Sequence, residues 1–294
     1  MILAINGILA SQMQNASPLL LDTYTTSTVA YSLRKLTNAY TGSAIRVRRL
    51  SDNAEQDIGF VANVLDTATL LSFCLATNGF VTKWYSQIGG STFDALQATA
   101  LKQPKIVSAG VLNTKNGKAS CNFTSTSSQA LVTSAGVVVM TGQFLSCAVG
   151  STTTIAASSS HFINQDVYSV AGSRIAQFIT RQINACRGMV WNTLNNTYLA
   201  TSPAITVNTQ YVFNTSKVGV PGTVSSGLNN GIPNSAAFVG TTISTAAKLS
   251  LGAGNAGNAE FLDGEIQEAI IFNGDNSANK TAIITNIKSY YGIV

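Results

Sequence analysis

The chain has 294 residues, 45% of them hydrophobic and only 10% charged, with a net charge of +5. An average globular protein carries roughly 25% charged residues, so a charge-rich disordered chain is excluded. The excess of bases reflects few acids, with no lysine- or arginine-rich tract to mark a nucleic-acid partner, and no run reaches the ~20 apolar residues of a membrane span.

In chain order, the apolar lead Met1–Leu21 lacks the basic start of a secretory signal. Residues 1–22 are expected to be an N-terminal assembly arm or an edge strand, and 23–294 a single domain. Ser27 to Tyr40 has Ala30, Leu33, Leu36 and Tyr40 at helical spacing, with Ser27 as a cap and Gly42 as a stop. This predicts a helix near 27–40. Ala44–Leu50 alternates: Ile45 and Val47 point one way, Arg46 and Arg48 the other, which predicts a half-buried strand. Ser51-Asp52-Asn53 is a turn. A short helix near 67–76 follows Asp66 as its cap, and Phe80–Tyr85 is a strand.

Residues 30–60 hold five of the 17 basic residues and three of the 12 acidic ones. Arg46, Arg48 and Arg49 with Asp52, Glu55 and Asp57 are expected to form a structural charge network. The alternative for the three acids is a calcium cluster; ion pairing is preferred, and no metal or other cofactor is expected.

From Gln97 onward, short apolar runs recur between Gly, Asn and Ser turns, as in a β-sandwich or jelly roll. Ser151–Ser160 and Gly219–Asn234 are expected to be long loops, where such folds carry binding function. Trp191, Asn195, Asn196 and Tyr198 are the candidate ligand contacts. Ile283, Ile284, Ile287 and Tyr291 predict a terminal helix near 279–291.

Cys74, Cys121, Cys147 and Cys186 are widely separated, and His161 is the only histidine. That spacing excludes a zinc site, and free buried thiols are expected. His161 follows Ser158-Ser159-Ser160, but a Ser-His triad needs an orienting acid, so a solvated loop histidine is expected. Gly252–Gly257 is glycine-rich without the lysine and helix of a phosphate loop. Asp263-Gly264 is expected to be a hairpin turn.

Residues 27 to about 107 resemble the start of the catalytic domain of fungal α-L-arabinofuranosidase B, a concanavalin-A-like β-sandwich of glycoside hydrolases. The matching features are Tyr40-Thr41-Gly42, the strand Ala44–Arg49, the turn Ser51-Asp52-Asn53, the short helix after Asp66 and the strand Phe80–Gln87. The run Leu249–Gly254 followed by Phe261–Phe272 is similar to the last strands of laminin-G-like and concanavalin-A-like domains. The same N-terminal block resembles one found in virion proteins of phages that infect Bacteroidetes. The resemblance implies an all-β, concanavalin-A-like jelly-roll sandwich with a few short helices.

A glycosidase of this kind needs two carboxylates. The resemblance puts the acid just after the Leu-Gly-x-Gly strand, here Leu251–Gly254, where Asn255-Ala256 follows. It puts the nucleophile near Ala135–Phe144, which has no Asp or Glu. Between Ala95 and Ala259 the only acid is Asp166. The expectation is therefore a non-catalytic phage virion protein on the exterior of the particle: a spike, fibre or head decoration. It would bind host-surface glycan or another receptor, and attach to other virion proteins through the N-terminal arm, with trimers implied by resemblance alone. The alternatives are a glycoside hydrolase with relocated carboxylates, such as Asp166 with Glu260 or Asp263, and a purely structural capsid or penton component.

Overall fold

Two antiparallel layers pack face to face in the computed structural model, which describes residues 17–154, 160–166, 174–182, 185–192, 197–219, 221–241 and 246–294. The first layer runs Ser27–Ser32, Gly264–Asn273, Phe144–Thr152, Tyr211–Gly219, Gly222–Leu228, Asn234–Phe238. The second runs Glu55–Ile58, Ile45–Arg49, Gly79–Trp84, Ala95–Leu96, Leu131–Thr133, Ser250–Leu251, Ser160–Asp166, Arg174–Gln182, Ala185–Trp191, Thr197–Ala204. Lys105–Ser108 and Cys121–Phe123 join the layers at one side. This is the all-β sandwich that the turn-punctuated pattern predicts.

Aromatic pairs fix the spacing between layers. Phe162 of the second layer stacks on Phe213 of the first with ring centroids 4.6 Å apart, and Phe144 meets Phe178 edge-on at 5.1 Å. Such contacts add to the burial of large apolar area. A second apolar cluster lies on the other face of the first layer, under the helix Lys280–Tyr291. There Ile283, Ile284, Ile287 and Tyr291 cover Ala30, Leu145, Val212, Ile270 and Phe272. Leu20 and Leu21, on a helical turn Leu20–Thr23, complete that cluster. The earlier part of the lead, residues 1–16, lies outside the described residues.

The helix expected at 27–40 is instead the strand Ser27–Ser32 followed by irregular chain. Val29 and Tyr31 face the inter-layer core while Ala30 faces the helix-covered cluster. A first-layer strand covered on both faces has no polar alternation, so its apolar residues fall by chance on helical spacing. The two other expected helices form as Thr67–Cys74, capped by Asp66 through a 3.0 Å bond from the Thr69 amide, and Lys280–Tyr291. The expected loop at 219–234 contains the strand Gly222–Leu228. Its small Gly, Thr and Ser residues resemble loop composition, but here they pair between two neighbours. Asp263-Gly264 is not a hairpin turn: Gly264 opens the long strand Gly264–Asn273. Cys74, Cys121 and Cys147 are buried free thiols.

Candidate active site

The site is assembled from two stretches that meet at a two-residue strand of the second layer. Ser160–Asp166 pairs with Ser250–Leu251 through Ile163–Leu251 and Asn164–Ser250. Just beyond, the Gly252 amide donates to the Phe162 carbonyl, and the Leu262 amide donates back to Gly252. The chain between them closes on itself: Gly254 and Ala259 form an antiparallel bridge. That closure returns residue 260 to the end of the Leu251–Gly254 segment.

The closing loop carries unusual backbone. Gly252, Asn255, Ala256, Gly257 and Glu260 all have positive φ, at 78°, 47°, 52°, 84° and 52°. Three of these are not glycine, and such conformations cost energy that the surrounding fold must hold in place. Gly257 is required for a second reason: a Cβ there would lie 2.4 Å from a Val132 methyl. The loop is therefore pressed on the Leu131–Thr133 strand.

The product of this geometry is a contact between Glu260 and His161. Nε2 of His161 lies 2.6 Å from Oε2 of Glu260. The imidazole is fully buried, at 0% exposure, while the Glu260 side chain is 33% exposed. Nδ1 of His161 faces the Asn164 amide nitrogen at 3.3 Å. With that nitrogen donating, Nδ1 accepts and the ring proton sits on Nε2, aimed at the carboxylate. The arrangement joins a buried, oriented donor to a carboxylate that reaches solvent, which suits proton transfer.

Two further acids lie on the stretches that meet here. Asp263 is half-buried and accepts from the Ser125 amide and hydroxyl, both at 2.6 Å. Asp166 ends the Ser160–Asp166 strand, paired in register with Arg174.

His161 is thus not a solvated loop residue. Its strand lies between two partners, one of them only two residues long, and neither partner is signalled by local pattern. Trp191 is buried in the inter-layer core at 1% exposure, so it cannot offer its ring to a ligand. Tyr198 lies on the strand Thr197–Ala204, opposite Val190. Asn195 and Asn196 lie outside the described residues.

The N-terminal charges take the following places. Arg46 meets Asp57 at 2.8 Å and Arg49 meets Asp52 at 2.7 Å. The hydrogen bond from Arg49 is the chief cause of the Asp52 carboxyl falling to about 2. Arg48 turns inward rather than outward. It donates to Gln103, Asn53 and the Ala100 carbonyl, and stacks over Phe80. Glu55 accepts from Thr82 at 3.4 Å. Arg46, Arg48 and Arg49 lie on the Ile45–Arg49 strand and Glu55 and Asp57 on Glu55–Ile58, five and six strands along the layer from Ser160–Asp166 in the order given above, with Asp52 in the turn between them. Among the described residues, no group of three or more His, Cys, Asp or Glu side chains converges as a metal site would require.

Comparison with known proteins gives the fold a family context. The family model described as Alpha-L-arabinofuranosidase B, catalytic, matches residues 21–109. A mutant GH54 α-L-arabinofuranosidase soaked with 4-nitrophenyl α-L-arabinofuranoside superposes with a TM-score of 0.60 at 13% identity, over 91% of this chain and 64% of that one. An arabinofuranosidase complexed with arabinofuranosyl-α-1,2-xylobiose superposes with a TM-score of 0.57, at the same identity and coverage. The fold is that of the arabinofuranosidase sandwich. The chain spans 64% of the length of these solved proteins. No curated protein matches it.

These findings overturn two expectations. The matched family is a catalytic one, and the proteins that share the fold over most of the chain are glycosidases. Neither the non-catalytic reading nor the virion appendage stands against them. Glu260, named above only as one of the relocated alternatives, is brought to the end of the Leu251–Gly254 segment by chain closure. Counting along the chain stops at Asn255, whereas the Gly254–Ala259 bridge brings Glu260 back beside the same strand end. The signal available in sequence was the pair of glycines, Gly252 and Gly257, around a short loop that ends in an acid.

Proposed function

We propose that this chain is a glycoside hydrolase of the α-L-arabinofuranosidase type, with Glu260 as the acid/base carboxylate. The observation that carries the reading is the Glu260–His161 contact at 2.6 Å, in a sandwich that matches arabinofuranosidases over 91% of its length. The match of residues 21–109 to a catalytic family supports it.

Glycoside hydrolysis needs a second carboxylate, about 5–9.5 Å from the first depending on stereochemistry. Asp263 meets this better than Asp166. It stands three positions after Glu260, which limits their Cα distance to about 11 Å. Asp166 lies five residues past His161 on the same strand, about 15 Å along it. The two Ser125 hydrogen bonds hold the Asp263 carboxylate in one orientation. In this reading Glu260 protonates the departing glycosidic oxygen. Asp263 either attacks the sugar, in which case Glu260 takes the proton of the water that releases it, or itself takes the proton of the attacking water.

The test uses two substrates of different leaving group. A 4-nitrophenyl group departs with little need of a proton, whereas the xylobiose of arabinofuranosyl-α-1,2-xylobiose must be protonated. The wild-type chain is expected to cleave both. E260Q should lose about 100-fold or more on the xylobioside and much less on the aryl glycoside, and D263N should lose both. No hydrolysis of either substrate by the wild type overturns the proposal.

A further inference from the structure

We infer that His161 is the positioning residue of this site: an Nε2–H donor, fixed in that tautomer by Asn164, that holds Glu260 in its working orientation. The inference rests on the reading of Glu260 as the acid/base carboxylate. It goes beyond that reading by assigning a role to the one histidine in the chain and to the amide behind it.

Four observations support it. The imidazole is fully buried, on a strand held between two neighbours, so its ring plane is set by the fold. Its Nε2 meets Oε2 at 2.6 Å, a short, charge-assisted contact. Its Nδ1 faces the Asn164 amide nitrogen, and Asn164 is itself fully buried, three residues along the same strand. Glu260 has a φ of 52°, a conformation that a glutamate adopts at a cost, and in it the carboxylate meets this donor. A long, flexible carboxylate at a site mouth samples many rotamers. A buried donor at one oxygen removes most of them and keeps the acid within reach of the glycosidic oxygen, and such misplacement by 1 Å can cost about 100-fold.

His161 gives up no proton in this role. His161 keeps its Nε2 proton through the cycle, and the proton that reaches the leaving group belongs to Glu260.

The imidazole nitrogen-15 shifts test the contact directly, since a single histidine gives one pair of signals whether or not a substrate is turned over. The expected result is a protonated Nε2 and a bare Nδ1, with the Nε2 signal moved in E260Q. An Nδ1–H tautomer, or shifts indifferent to E260Q, overturns the inference. Kinetics test the role. H161Q, whose amide nitrogen can take the place of Nε2, should keep kcat within about tenfold, whereas H161L should lose about 100-fold in kcat with KM little changed. Equal losses in the two variants, both still folded by thermal melting, overturn it. If the wild type hydrolyses neither substrate, the arabinofuranosidase reading falls and the catalytic role of His161 with it. The nitrogen-15 shifts then still decide whether the His161–Glu260 pair exists.

Discussion

Arg34 shows how a sparsely charged chain uses its charges. Its guanidinium lies against Glu268, with Nε 2.8 Å from Oε2 and Nη2 3.0 Å from Oε1. Both side chains are almost wholly buried, at 9% and 1% exposure. Ser32 and Tyr291 donate to the same carboxylate, and Asn286 accepts from Arg34. Removing one partner strands a buried charge, so R34M should cost about 3–5 kcal/mol in chemical denaturation, and the double variant R34M/E268L should recover most of the loss. Asp22 works on the surface side of the same region. Burial tends to raise its carboxyl, but hydrogen bonds from Thr37, Leu19 and Asn38 outweigh burial and hold it below the usual range. A carboxyl lowered on folding stabilises above its unfolded value and loses that contribution as pH falls through the folded one. Urea unfolding should show D22N less stable than wild type near pH 7, with the gap closing below about pH 4. The surface pairs were legible in the sequence because alternation set Arg46 on the outer face of its strand, level with Asp57 of the neighbouring strand. The inward turn of Arg48 was not, because its partner Gln103 comes from a distant loop.

Strand contacts, more than helix or turn chemistry, decide which small residues the chain tolerates. Gly188 of the second layer lies close against Thr215 of the first. A Cβ there would be 2.0 Å from Cγ2 of Thr215 and 2.8 Å from its Cβ. G188A should therefore destabilise by about 1–3 kcal/mol, and T215A in the same chain should recover part of that in thermal melts. The strand Ile45–Arg49 and the helices Thr67–Cys74 and Lys280–Tyr291 were legible because each carries its own period and ends. Ser27–Ser32 was not, since burial on both faces erases the alternation that marks a strand. Ser160–Asp166 failed for a different reason. Its register shifts repeatedly against Arg174–Gln182, so its polar residues, His161 among them, keep no simple period and resemble a loop.

At the scale of the whole molecule, composition and turn spacing were enough for the sandwich, but not for the site. The sandwich depends on many short apolar runs, each visible locally. The site depends on one loop closure, from Gly254 to Ala259, and one cross-strand contact, from Glu260 to His161. Both join residues that composition treats as unrelated, so no local pattern announces them. In the function proposed, that closure is the decisive feature of a fold shared with arabinofuranosidases over 91% of the chain. The most direct test is the release of L-arabinose from arabinofuranosyl-α-1,2-xylobiose by the wild-type chain and by E260Q. Release by the wild type, reduced about 100-fold or more in E260Q, is the predicted result; equal rates for the two chains, or none for either, contradict the account.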